Sequence, residues 1–161
     1  MWRFRRIWGL VCAIFVALLS VWLGPTPGRA EAEVLPGPLP ARVVEVVDGD
    51  TLEVSARIWL GQAVRVRVRL AGVDAPELRG KCAAERRTAG RAKAFLATAI
   101  GDGEIRLSQI RYGKYAGRVL ARIAAADGRD LGQALLAQGL ARAYAGGKRV
   151  SWCRLLAGDL D

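Results

Sequence analysis

From Val64 to Leu70 the chain reads Val-Arg-Val-Arg-Val-Arg-Leu, an unbroken alternation of apolar and cationic residues. Successive side chains of a β-strand point to opposite faces, so this stretch is a half-buried antiparallel strand. Its valines and Leu70 form the inner face, and Arg65, Arg67 and Arg69 form the outer one. A strand with one apolar face needs neighbours to cover it. Arg42 to Val47 and Thr51 to Ile58 are rich in β-branched residues, Asp48-Gly49-Asp50 between them is a hairpin signal, and Gly61-Gln62 makes the next turn. After Pro76 the period changes. Ala89, Ala92, Phe95, Leu96, Ala99 and Ile100 fall at helical spacing, Gly90 weakens that helix from within, and Gly101 ends it. Strands over Glu104–Ile110 and Arg118–Ala124 follow; in the second, Val119, Ala121 and Ile123 share one face while Arg118 and Arg122 share the other. Asp127-Gly128 is a turn, and Asp130 caps a short helix through Gln138, with Gln133 at the capping-box position. Three strands, a helix, two strands and a helix predict an α+β fold: a five-stranded OB-type β-barrel with a helix between strands 3 and 4 and a further short helix after strand 5.

The first 32 residues are outside that pattern. Arg3, Arg5 and Arg6 precede an apolar run from Ile7 to Leu23, and Ala30-Glu31-Ala32 follows, which is the anatomy of a secretory signal peptide over residues 1–32. The alternative is a retained membrane anchor, although the run is slightly shorter than the ~20 residues that span a bilayer. Residues 33–40 carry Pro36, Gly37, Pro38 and Pro40 and read as a stiff, extended linker. Residues 41–161 then form a single domain. Its expected localisation is periplasmic or secreted after cleavage, and membrane-anchored if the leader stays.

Composition narrows the chemistry. Without the leader, two of the three cysteines remain, Cys82 and Cys153; an even count in an exported chain points to a disulfide, the alternative being two buried thiols. Histidine is absent, which excludes Ser-His-Asp and Cys-His nucleophile pairs, HExxH zinc sites and histidine-base nucleases. Any hydrolysis has to run on carboxylates, arginines and a hard metal. The formal net charge of +10 falls only to +7 when the leader's four arginines and one glutamate are removed, which suits a polyanionic partner such as nucleic acid.

Three segments carry candidate chemistry. Asp48-Gly49-Asp50-Thr51 is by itself an ordinary Asp-Gly turn, and its spacing fails as an EF-hand. In Arg69-Leu70-Ala71-Gly72-Val73-Asp74-Ala75-Pro76-Glu77, Pro76 stiffens the backbone between two acids, and the segment alone could be a solvated strand end. Lys114-Tyr115-Ala116-Gly117-Arg118 begins a strand, where a lone arginine is usually a surface residue. Folding changes this balance. If the first hairpin and the third strand are neighbours, Asp50 and Asp74 meet at one rim of the barrel. Two carboxylates 4 Å apart repel by ~1 kcal/mol in water and ~4 kcal/mol at an effective dielectric of 20. Such a cluster needs a cation, and all-oxygen donors select calcium or magnesium over zinc.

Taken in order, Val-Asp-Gly-Asp-Thr, Arg-x-x-x-Val-Asp-x-Pro-Glu and Lys-Tyr-x-Gly-Arg resemble the staphylococcal nuclease (thermonuclease) family, over roughly Ala41 to Tyr144. Gly139-Leu140-Ala141-Arg142 also looks like that family's segment after its second helix. The resemblance implies a Ca²⁺-dependent phosphodiesterase that cuts DNA and RNA and leaves 3′-phosphate ends. It implies Asp50, Asp74 and the carbonyl of Ala75 as direct metal ligands, with Asp48 supporting them. Glu77 orients or deprotonates the attacking water, and Arg69 and Arg118 hold the phosphate and stabilise the transition state. Lys114, Tyr115 and Tyr144 are the implied nucleic-acid contacts, although the tyrosines fit barrel-edge packing equally well. Three departures stand out: Ala75 replaces a threonine, Ala116 is an extra residue before Gly117-Arg118, and the chain after Ser151 is short for the family's last helix. A monomer without a stable protein partner is expected. The competing reading is a non-catalytic OB-fold module that binds nucleic acid without cutting it.

Overall fold

The computed structural model describes residues 33–114 and 117–158. The leader, Tyr115 and Ala116 lie outside these. The elements are β1 (Val34–Leu35), β2 (Leu39–Asp48), β3 (Thr51–Trp59), β4 (Gln62–Leu70), β5 (Val73–Asp74), α1 (Ala83–Ile100), β6 (Glu104–Tyr112), β7 (Arg118–Ala125), α2 (Leu131–Ala137), β8 (Arg142–Ala143) and α3 (Trp152–Ala157). No helix among the described residues is long and apolar enough to cross a membrane.

Strands β2, β3 and β4 form an antiparallel meander; β4 pairs in parallel with β7, β7 pairs antiparallel with β6, and β6 returns to β2. That circuit closes a five-stranded barrel, so the α+β, OB-type expectation holds. Closure leaves none of these five strands as a bare edge over its paired length. The inside is filled by the apolar faces: Leu52 and Val54 from β3, Val68 and Leu70 from β4, Leu107 from β6, Ala121 and Ile123 from β7, all nearly or wholly buried. Helix α1 adds Ala92, Leu96, Ala99 and Ile100 to this cluster, and α2 adds Leu131 and Leu135. Gly101 ends α1 at φ +62°, a left-handed conformation that glycine adopts without a Cβ clash. Asp130 caps α2 as expected, accepting a hydrogen bond from the Gln133 N–H at 2.9 Å.

Two expectations need correction. The stretch 33–40 is extended, but it belongs to the sheet: Val34 and Leu35 pair with Arg111 and Ile110, and Leu39 and Pro40 open β2 against Leu107 and Arg106. An extended backbone with free N–H and C=O groups is captured by an available strand edge, and prolines are tolerated where no ladder donor is required. The outer face of β4 is also not uniformly solvated. Arg65 and Arg67 are exposed and share Glu53, whereas Arg69, with the same alternation, is 6% exposed. Its position near the end of the strand puts it under the turns that follow. The chain after Ser151 forms a short helix, the six-residue α3.

Candidate active site

The site is built where the β2–β3 turn, the end of β4 and the loop through Glu77 converge. Gly49 makes that convergence possible. A Cβ on it would lie 2.8 Å from the Ala92 Cβ of α1 and 3.0 Å from the Ala75 Cβ, so only glycine lets the turn seat against both. Seated there, Asp50 is 3% exposed. The β3–β4 register sets Thr51 opposite Arg69, which places the Arg69 guanidinium beside the Asp50 carboxylate. Arg69 Nη1 donates to Asp50 Oδ1 at 2.7 Å and Nη2 lies 2.6 Å from Oδ2, a bidentate pair. The Thr51 hydroxyl and the Ala75 N–H complete the acceptor sites of Asp50, at 2.9 and 3.1 Å. Burial raises the Asp50 carboxyl above its ordinary value of 3.8, and Arg69 opposes that rise.

Asp74 is only 1% exposed and gathers cations. Arg69 Nη2 reaches its Oδ1 at 3.2 Å, so one guanidinium bridges Asp50 and Asp74. Arg142, its register partner across the β5–β8 ladder, donates from Nε and Nη2 to Oδ2 at 3.1 and 2.8 Å. The Trp152 indole N–H donates to the same oxygen at 3.1 Å, while the Arg142 guanidinium stacks 4.8 Å from the Trp152 ring centre. Arg149 Nε lies 3.2 Å from Oδ1. Removing one partner of such a buried ion network typically costs about 3–5 kcal/mol, because the others lose their compensation.

Glu77 is half exposed and accepts from Arg149 Nη1 at 3.0 Å. Asp48 faces it. Desolvation first, and the neighbouring Glu77 carboxylate as a further cause, raise the Asp48 carboxyl to about 6. Asp48, Asp50 and Glu77 line a cleft of about 760 Å³ together with Arg69 and Arg118. A second cleft of about 820 Å³ shares Arg69, Glu77 and Arg118 with the first, and adds Lys114, Tyr144 and Arg149. The Tyr144 hydroxyl donates to the Gly147 carbonyl at 2.7 Å.

Asp48, Asp50, Arg69, Asp74, Ala75 and Glu77 are thus brought together, Arg118 lines both clefts and Lys114 lines the second. Tyr144 lines its edge, and Tyr115 lies outside the described residues. Arg142, Arg149 and Trp152 were missed. Their signal lay in the cysteines: Cys82 and Cys153 have Cα atoms 5.9 Å apart with their sulfurs in bonding contact, and that pairing brings the chain just before Cys153 to the loop after Glu77. The buried Glu85 sits beside the pair, its carboxylate accepting from the Lys81 N–H at 3.1 Å.

No curated protein matches the chain at a significant level. A family model described as staphylococcal nuclease homologue matches residues 67–151, just over half of the chain, a span that holds Arg69, Asp74, Glu77, Arg118 and Arg149. Membership there points to a nuclease-like or nucleic-acid-related activity, in keeping with the barrel and its cation-lined rim. The chain belongs to the staphylococcal nuclease homologue family.

Proposed function

We propose that the protein is an exported, calcium-dependent nuclease that hydrolyses phosphodiester bonds in DNA and RNA and leaves 3′-phosphate ends. The observation that carries this reading is the wall common to both clefts, which is lined by one carboxylate, Glu77, and two arginines, Arg69 and Arg118. A phosphodiester transition state gathers negative charge on its oxygens and needs preorganised cations together with one base.

The donor set suits a hard cation. Every candidate ligand is an oxygen, and the Asp48 and Glu77 carboxylates lie close enough to interact. Asp50, Asp74 and the Ala75 carbonyl would hold calcium, with Asp48 in support. When bound, the ion supplies Lewis-acid polarisation of the phosphate. Arg69 now bridges Asp50 and Asp74, and in this reading it turns toward a non-bridging phosphate oxygen. Glu77 accepts a proton from the attacking water as the new P–O bond forms. Arg118 hydrogen-bonds the departing 5′-oxygen as the old P–O bond breaks; that oxygen takes its proton from solvent, because an arginine does not give one up at neutral pH. Lys114, Tyr115 and Tyr144 steady the flanking nucleotide.

The direct test is incubation of plasmid DNA and of RNA with purified protein in calcium and in chelator, with analysis of the product ends. Cleavage in calcium alone, leaving 3′-phosphates, is expected. Undiminished cutting in chelator overturns the metal reading, and binding without cutting in calcium overturns the enzyme. Export and the Cys82–Cys153 disulfide are tested by intact mass under non-reducing conditions. Loss of the first 32 residues and of two hydrogens is expected; a retained Met1 or two free thiols removes the corresponding part.

A further inference from the structure

Arg149 has no part in the reaction just described, yet it points into the site. It lies in the irregular segment between β8 and α3, not on the barrel. Its Nε and Nη1 meet Asp74 and Glu77, its guanidinium carbon is 5.8 Å from the Tyr144 ring centre, and its Nη2 makes no hydrogen bond among the described residues. It lines the second cleft with Arg69, Lys114 and Arg118, where Glu77 is the sole lining acid.

Anchoring the C-terminal segment does not account for it. That segment is already tied by the Trp152 indole to Asp74, by Arg142 to the Val150 carbonyl and by the contact of Cys153 with Cys82. The Arg149–Glu77 pair is 41% and 48% exposed, a range in which an ion pair contributes at most ~1 kcal/mol, and the Arg149 Nε contact with the buried Asp74 uses one edge of a guanidinium that also lines the cleft. A half-exposed guanidinium beside a tyrosine ring, among other cations, matches what a nucleic-acid strand presents: a phosphate oxygen to accept from Nη2 and a base to stack on the ring.

We propose that Arg149 is a substrate-positioning residue, which binds the phosphate next to the scissile one and is delivered to it by the C-terminal segment. The proposal rests on the nuclease reading and deepens it. Measurements in chelator separate the two, because strand binding there needs no turnover. The experiment compares Arg149→Gln with Arg149→Lys, and with Arg154→Gln as a control, Arg154 being exposed on α3 and lining neither cleft.

Fluorescence anisotropy of a labelled single-stranded DNA oligonucleotide, measured in chelator over a salt series, is expected to show about tenfold weaker binding for Arg149→Gln, the scale of one charge-assisted contact. The slope of log affinity against log salt should become shallower by about 0.7, the share of one phosphate on a single strand. Arg149→Lys should keep the slope, and Arg154→Gln should change neither value. In calcium, KM should rise by a similar factor for Arg149→Gln while kcat stays within about twofold. Melting temperatures identify any variant that fails to fold; if Arg149→Gln does, Arg149→Met, which keeps the apolar stem, decides by the same two readings against Arg154→Gln. Unchanged affinity and slope in a folded Arg149→Gln protein overturn the proposal. So does faster cleavage with tighter calcium binding, which would make Arg149 an internal plug. A wild-type protein that binds the oligonucleotide through Arg149 but never cleaves it defeats the nuclease reading and leaves the phosphate contact standing.

Discussion

The two clefts that share Arg69, Glu77 and Arg118 are similar in size, at about 760 and 820 Å³, and unlike in charge. In the first, Asp48, Asp50, Glu53 and Glu77 offset Arg65, Arg67, Arg69 and Arg118. In the second, Arg69, Lys114, Arg118 and Arg149 are opposed only by Glu77. The first can therefore take up a small cation and still leave arginines for a phosphate, whereas the second attracts only anions. They also differ in what supports them. Most of the carboxylate cleft stands on β2, β3 and β4 and the turn between β2 and β3, and the basic cleft is completed by the loop before Arg118 and the segment after Tyr144. On the proposed reading, most of the metal-binding side thus rests on the sheet, and strand binding, which tolerates more displacement, rests on the connections.

The strongest test of this division is at the shared wall. Glu77→Gln and Arg118→Ala are each expected to lower kcat by more than ~10²-fold, the scale of removing a general base or one transition-state donor. Oligonucleotide binding in chelator should hold for Glu77→Gln, because that change removes the one carboxylate of the basic cleft. Single-turnover cleavage read beside anisotropy checks both; near-full turnover in either variant removes its assigned role.

A smaller effect, confined to the carboxylate side, follows from Asp48. Its folded-state value of about 6 lies above the ordinary 3.8. The protonated carboxyl therefore stabilises the metal-free fold at pH values below about 4, and this contribution is lost as pH rises through about 6. Calcium needs the ionised form and competes with that proton, so its apparent affinity should be about tenfold weaker at pH 5 than at pH 7. Calcium titration by calorimetry reads this directly, with proton release below pH 6. A pH-independent affinity would take Asp48 out of the metal's surroundings. Oligonucleotide binding in chelator should change far less over the same range, because Asp48 does not line the basic cleft.

Much of the architecture was legible from periodicity. The Val64–Leu70 alternation, the change to helical spacing after Pro76 and the capping box at Asp130 each depend on neighbours within a few residues, and each element formed near its expected bounds. The prolines of 33–40 suggested a spacer, because capture by β6 depends on an edge formed some seventy residues later. Arg69 shows the same limit at one position: alternation put it outside, and only the turns folded over the end of β4 buried it.

For the site, the three segments taken in order named the acids and the two arginines through their resemblance to the staphylococcal nuclease family, while the absence of histidine excluded histidine-based chemistry. Whether those groups would meet was decided by tertiary structure. Asp50 and Asp74 are joined through one guanidinium because strand register aligns Thr51 with Arg69, and Arg142, Arg149 and Trp152 reach Asp74 because β8 pairs with β5 and the chain end returns to α1. Sequence determines what each side chain can do, since ionisation and hydrogen-bonding capacity belong to the residue. Which charges share a cavity follows from packing, because Coulomb interactions and desolvation depend on distances that only the folded chain defines.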